Sequence, residues 1–536
     1  MIRMSQLMLR TLREAPSEID APGARLLFRA SCITLTPGYQ LVFPPLGAML
    51  LQKLLQRVKA FTPAQEVNLP SAGGMQENCA ESFAHILRPF IRSYKDLPRT
   101  LYAQVHQENR RFKSNAGLLN PPLLHKVVFC CTAADEAALQ PWAAHMQHEI
   151  EQLLAQSRIP YQTLEDEINR SAYQVYLHPT GSHDFAVCTQ CHYGAPLASA
   201  CFQRAAVQPG ELLPMEPVHT PNVKTIEGLA SYLNIPASQT AKAVFLVARF
   251  DRPEGRKETL IFAVIRGDLE VNEQKLLKAL VASALRPAAE DEIRAIGAVP
   301  GFASPVGLRG VYVVADPSAA APNLVAGANQ EDTHLRNVNL GRDYTPSLTV
   351  DFAMVQPGHP CPICGQPLQV VSAVPLAESS RYSPALPVMH LNPSGQQKPS
   401  LLALCEISLT GWLGAAAEAN CDAAGLSWPA ALSPVDLHLV TLRGGETAGE
   451  VLAQELTQAG LQILWDDRDE SPGVKFADAD LIGLPVRLTL SERSLKAGGV
   501  EWKARAQEER QVLPLSEVLQ TLQTFLADLQ HKEQSG

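Results

Sequence analysis

The chain has 536 residues, 46% hydrophobic and 18% charged. That is enough apolar material for three or four domains of about 100–200 residues each, and too much for a disordered chain. The formal net charge of −9 excludes a global basic field for nucleic acid, so any such contact has to come from local Lys/Arg patches. No uncharged apolar run reaches the ~20 residues of a membrane span. Residues 1–14, with Arg3, Arg10 and Arg13, lack the apolar core of a signal peptide, and the expected location is the cytoplasm.

From 1 to about 217, helical periodicity alternates with short apolar runs. Residues 46–58 (LGAMLLQKLLQRV) predict a helix with Lys53 and Arg57 on its polar side, and 138–156 predict another. A second region starts at Thr220-Pro221. Its residues 225–233 (TIEGLASYL) predict a short helix capped by Thr225, with an incomplete capping box because the acid is Glu227. The runs 243–248 (AVFLVA), 259–265 (TLIFAVI) and 311–315 predict strands, and the unit closes near Asp343. In the third region, 351 to about 430, the Pro- and Ser-rich stretch 372–400 predicts loops. From 434 onward, strands at 435–440, 461–465 and 486–490 alternate with helices at 448–459, around 477–481 and at 515–529. This alternation predicts a small α/β domain with a largely parallel sheet.

Eleven cysteines in a reducing compartment do not predict a disulfide framework. Four of them form two CxxC pairs, Cys188 with Cys191 and Cys361 with Cys364. Each such turn presents two thiolates to one tetrahedral ion, and two turns complete a four-cysteine zinc site with no open position, hence a structural one. Pro362 and Gly365 suit the tight turn. The pairs lie far apart, which is acceptable if a whole domain is inserted between them. The competing reading is two unrelated buried or redox-active pairs. Cys32, Cys79, Cys130, Cys131, Cys201, Cys405 and Cys421 show no ligand spacing and read as core.

Longer motifs carry a family resemblance. DDRDESPGVKFADADLIGLP at 466–485 resembles the anticodon-binding domain of bacterial prolyl-tRNA synthetases. TPN at 220–222, KTI at 224–226, RGD at 266–268, VNE at 271–273, GFASP at 301–305 and AGAN at 326–329 followed by His334 resemble that family's inserted editing domain. MSQ at 4–6 and SYKDLP at 93–98 fit too, and the paired CxxC turns resemble those that a subset of the family carries on either side of the insertion. The resemblance spans almost the whole chain. It implies a multidomain α/β fold with a class II synthetase antiparallel-sheet core at 1–217 and 349–432, each part holding one CxxC knuckle. An inserted α/β editing domain would occupy 218–348, and a C-terminal α/β anticodon-binding domain 433–536. It also implies tRNA(Pro) as partner, with Arg468 and Lys475 at the anticodon, and a homodimer.

Within the editing domain the resemblance places Lys242 at the tRNA 3′ end. It places the loop from Gly301 to Pro305 at the aminoacyl carbonyl, and His334 in the pocket with Asp316 as its acidic partner. A cramped pocket admits alanine and excludes proline, the size-sieve logic of editing. No Ser/His/Asp or Cys/His nucleophile arrangement is visible. The implied mechanism is water attack on an activated ester, with the tRNA 2′-OH assisting and backbone groups stabilising the oxyanion.

The ligase motifs depart from the family pattern. The Arg-Asp-Glu run of motif 2 falls on Asn109-Arg110-Arg111, and the Thr-His-Glu substrate clamp on Asn78-Cys79-Ala80. Motif 3 falls on LCEISLTGW at 404–412, with Trp412 at its arginine. The segment after the second knuckle shrinks to VSAVP at 371–375, although Arg381-Tyr382-Ser383 still matches. Adenylate formation needs fixed cations on the ATP phosphates. The expectation is therefore a degenerate core without aminoacylation or ATP use, on a chain that hydrolyses mischarged aminoacyl-tRNA, above all Ala-tRNA(Pro). Two alternatives stand beside it: a divergent but active proline–tRNA ligase, and a non-catalytic tRNA-binding regulator.

Overall fold

The computed structural model describes all residues except 38–39, 70–78, 110–111, 205–209, 253–254, 385 and 536. The chain separates into two compact units, residues 1–184 with 371–536 and residues 185–370. Both mix helices and strands.

The first unit is built around a mainly antiparallel sheet. Arg99–Glu108 pairs with Leu123–Ala133, which pairs with Leu401–Ser408, which pairs with Gln369–Tyr382. Ser171–Leu177 and Gln162–Asp166 extend the sheet. Successive residues point to opposite faces, and here both faces are covered. Val127, Phe129, Cys405 and Ile407 share one core with Leu26, Leu50, Leu54 and Leu413 of the helices Pro22–Arg29, Pro45–Lys59 and Leu409–Ala419. Val128, Cys130, Leu402 and Leu404 pack instead with Phe83, Ala84 and Leu87 of the helix Cys79–Leu87. Burial pushes the Cys32 and Cys405 thiols up to about 12, so these cysteines are core residues and not reagents.

The stretch 372–400 is not the loop its composition predicts. Gln369–Tyr382 is a strand of 14 residues with Pro375 inside it. Proline has no N–H for the ladder, and the pairing with Ser171–Leu177 shifts register between Pro375 and Ala377. A bulge of this kind lets the strand continue past a residue that cannot donate.

In the C-terminal part of the same unit, Leu437–Thr441 lies between the parallel strands Ile463–Asp466 and Val486–Leu490. Antiparallel Val500–Ala504 and Gln511–Leu513 complete one side. The helices Glu446–Gln458, Pro472–Ile482 and Val518–Ser535 overlap the predicted 448–459, 477–481 and 515–529, the second starting five residues earlier and the last ending six residues later. Ser471 caps the middle one and Pro472 occupies its first turn, where a missing N–H costs nothing. Gly483 ends it in the left-handed conformation. The other edge of the sheet is closed by the start of the chain: Ile2–Arg3 runs parallel to Leu464 and Trp465. The Met4 amide donates to the Trp465 carbonyl at 2.8 Å, and Ser5 donates to the Asp467 carboxylate from its amide (3.0 Å) and its hydroxyl (2.7 Å).

The second unit contains the hairpin Ala241–Arg252 with Gly255–Arg266, in register from Ala241 opposite Arg266 to Arg252 opposite Gly255. Both strands outrun the apolar stretches that predict them. The outer arms are charged and exposed, and ion pairs stand there in place of burial, Arg249 with Asp251 at 3.5 Å and Glu258 with Arg286 at 3.1 Å. Tyr312–Ala315 and Leu348–Thr349 add parallel strands. A separate antiparallel sheet joins Glu216–His219, Thr333–Val338 and Leu324–Gly327. Among the described residues no helix is long and apolar enough to cross a membrane.

Candidate functional site

A cavity of about 350 Å³ opens in the second unit, walled by Lys224, Thr225, Lys242, Gly301, Gly327 and His334 together with apolar side chains. Its polar rim begins at the turn that leads into the helix Ile226–Leu233. Asn222 is left-handed there (φ 59°) and its amide donates to Asp332 Oδ1 at 2.7 Å. Thr225 then caps the helix, accepting from the Gly228 amide at 3.1 Å.

The adjoining wall depends on two glycines. Gly301 has φ 83°, a conformation that disfavours any side chain. At Gly327 a side-chain carbon would stand 2.1 Å from the Phe302 carbonyl oxygen, so strand and loop meet backbone to backbone only because this residue is glycine. Asn329 holds the loop in place. Its amide donates to the Phe302 carbonyl (2.8 Å), its side-chain oxygen accepts from the Ser304 amide (3.0 Å), and its side-chain nitrogen donates to the Ser304 and Val306 carbonyls.

His334 stands on Thr333–Val338 with Nδ1 2.6 Å from the Thr220 hydroxyl, both residues buried. Its ring lies edge-on to Phe302. Burial lowers its pKa, so the imidazole is neutral at pH 7. The Lys242 ammonium donates to the Leu269 carbonyl at 3.0 Å and to Glu270 Oε1 at 2.6 Å. Lys242, Gly301 and His334 therefore converge on one cavity.

The other two residues assigned to this site do not reach it. Pro305 is buried within the loop and accepts from the Leu308 amide at 3.4 Å. Asp316 is fully buried elsewhere: it accepts from Arg204 (2.9 Å), the Ser318 amide (2.9 Å) and the Phe352 amide (3.1 Å). Its carboxylate is saturated by that network, which also joins Arg204 and Lys275 to Asp351, so it is no partner of His334. Thr220 and Asn329 had no role assigned from sequence; their signals were the TPN and AGAN motifs.

The four paired cysteines converge in the second unit. The sulfurs of Cys188, Cys191, Cys361 and Cys364 all lie within 4.8 Å of one another, with Cys188 to Cys364 at 3.5 Å and Cys191 to Cys361 at 3.6 Å. A tetrahedron of thiolates ~2.3 Å from a zinc ion has edges of about 3.8 Å. Burial works against the Cys188 thiolate, but the backbone N–H groups of Cys191 and Gln190 and the neighbouring sulfurs outweigh it and bring the thiol down to about 7. Gly365, at φ 77°, closes the second turn with its amide on the Cys361 carbonyl at 3.0 Å. The donor set fits a closed structural zinc site.

In the first unit, the sheet face carrying Val128 also presents Lys126 paired with Glu406 at 3.1 Å, and beside it Tyr382 donates to Glu81 at 3.1 Å. Of the positions on which loss of the ligase was read, Asn78, Arg110 and Arg111 lie outside the described residues. Asn109 donates to Asn120 Oδ1 (2.6 Å) and the Pro121 carbonyl (2.9 Å). Trp412 is wholly buried in the helical layer, its indole N–H donating to Ser157 Oγ at 2.9 Å. It is a packing residue on the far side of the sheet from Lys126, so its identity says nothing about that polar face.

In the C-terminal sheet, Arg468 forms a two-pronged bond to Asp466 (2.9 and 2.7 Å) and a third to Asp478 (2.8 Å). Lys475 is buried and donates to the Thr441 carbonyl at 2.7 Å; burial lowers its pKa. Both groups assigned to the anticodon are held by the protein itself.

Residues 220–344 match the family described as an aminoacyl-tRNA editing domain, and residues 440–525 the family described as an anticodon binding domain. The chain is 32% identical to the proline–tRNA ligase of Salinispora tropica, over 98% of this chain and 97% of that protein. It is 30% identical to the proline–tRNA ligase of Pelotomaculum thermopropionicum, over 98% and 100%. The crystal structure of prolyl-tRNA synthetase from Cryptosporidium parvum complexed with halofuginone and AMPPNP shares the fold: its TM-score is 0.52 at 10% identity, covering 96% of this chain and 78% of that one. These matches overturn the expected loss of aminoacylation, because the relatives that align end to end are ligases and not free-standing deacylases. The expectation of no ATP use falls with it. The chain belongs to the class II prolyl-tRNA synthetase family, with an editing domain and an anticodon-binding domain.

Proposed function

We propose that this protein is a proline–tRNA ligase that also edits: the first unit transfers proline to tRNA(Pro) at the expense of ATP, and the cavity of the second hydrolyses mischarged aminoacyl-tRNA. The end-to-end match to proline–tRNA ligases carries the ligase half. In that reaction the proline carboxylate attacks the α-phosphate of ATP, pyrophosphate leaves, and the tRNA terminal hydroxyl then takes the prolyl group and releases AMP. Under this reading the charged pair Lys126–Glu406 on one face of the core sheet is assigned to the neighbourhood of those substrates.

The cavity with Lys242, Gly301 and His334 carries the editing half. Water adds to the ester carbonyl, the ester bond breaks, and the amino acid leaves the 3′-terminal ribose. The neutral His334, fixed through Thr220, orients polar partners without adding charge, and the backbone of the 301–305 loop faces the carbonyl as it becomes anionic. Zinc on the four cysteines, when bound, ties the two ends of the second unit together. The working form under this reading is a cytoplasmic homodimer with tRNA(Pro) as partner.

Purified protein is expected to exchange pyrophosphate into ATP in the presence of proline and to charge tRNA(Pro). No exchange, in a mixture where a control synthetase works, sinks the ligase half. Release of alanine from Ala-tRNA(Pro) tests the editing half separately.

A further inference from the structure

The cavity of the second unit has two lysines on its wall, and they are not equivalent. The Lys242 ammonium is already bonded to a carboxylate and a carbonyl. Lys224 is exposed, and among the described residues it has no ion pair or hydrogen bond.

Lys224 is nevertheless well placed. It sits one residue before the helix cap Thr225, on the turn fixed by Asn222 and Asp332. Its stem crosses Gly301: a side-chain carbon at that glycine would stand 3.0–3.3 Å from Lys224 Cγ, Cβ and Cδ. The left-handed glycine thus does two things at once. It turns the loop, and it leaves the bed in which the lysine stem lies.

We propose that Lys224 binds the phosphate of the substrate's 3′-terminal nucleotide at the mouth of this cavity. The assignment rests on the editing reading above. An ammonium without an internal carboxylate is the group that gains most from a phosphate, since no existing pair has to be broken.

The test uses the full-length protein, alanine-charged tRNA(Pro) and three variants. Lys224→Met keeps the stem and removes the charge. It should raise KM for alanine release about tenfold with kcat little changed, and reduce the dependence of log(kcat/KM) on log salt by about one. Lys224→Arg should restore KM. Lys224→Gln repeats the charge removal should Lys224→Met melt early. A wild-type protein that releases no alanine overturns the editing reading and this inference with it. A wild-type protein that does, with charge-removed variants at unchanged KM and salt slope, overturns this inference alone.

Discussion

Lys242 in the cavity of the second unit and Arg468 in the C-terminal sheet are both cations held by carboxylates, and both side chains are 19% exposed. Their partners differ. Glu270, which holds Lys242, is 54% exposed, whereas Asp466 and Asp478, which hold Arg468, are 0% and 8% exposed. A cation can be handed to an incoming phosphate only if the carboxylate it leaves can return to water. Glu270 can do so at little cost. Asp466 would be left as an uncompensated buried charge. Cations with equal exposure are thus one exchangeable and one fixed, and the partner decides which.

Breaking the fixed pair should give the largest effect. Arg468→Met leaves two buried carboxylates without the cation that holds them and is expected to cost about 3–5 kcal/mol of stability in urea unfolding. A loss below ~1 kcal/mol would mean that Asp466 reaches water and that the contrast with Glu270 is false. His438, buried beside Asp466, comes next. Burial lowers its pKa to about 4 against an ordinary value near 6.5. The unfolded chain therefore takes up the proton first as pH falls. This contribution is complete above pH ~6.5 and disappears on the way down to about 4, roughly 2–4 kcal/mol in all. Unfolding titrations should show that slope, and His438→Gln should flatten it; an unchanged slope would assign it to other groups. The smallest change belongs to the exchangeable pair. Glu270→Gln removes a competitor for Lys242 and should raise kcat/KM for alanine release by roughly two- to fivefold. A fall would show that Glu270 positions Lys242 instead of competing for it.

The four-cysteine cluster is legible because each CxxC turn carries its own geometry within four residues. The cavity of the second unit is legible in part. Lys242, Gly301 and His334 meet there, but Asp316 was mistaken for a cavity residue because nothing in its local sequence reveals Arg204 and the Phe352 amide closing over it. Lys224 and Thr220 lay inside quoted motifs without a role, since their use depends on which wall they face. The core is the least legible part. Trp412 stands at a motif's arginine position, while its role is set by the side of the sheet on which it packs. Pro375 hid a strand whose alternation resumes after a bulge.

The N-terminal strand has a consequence for biosynthesis. Ser5 and its partner Asp467 are 462 positions apart. At about 5–20 residues per second, the ribosome needs roughly 25–90 s to make the second after the first. Residues 2–5 are made long before the edge strand that they complete. Throughout that interval they are a short strand without a sheet, and this edge closes only when a segment made early returns to one made much later.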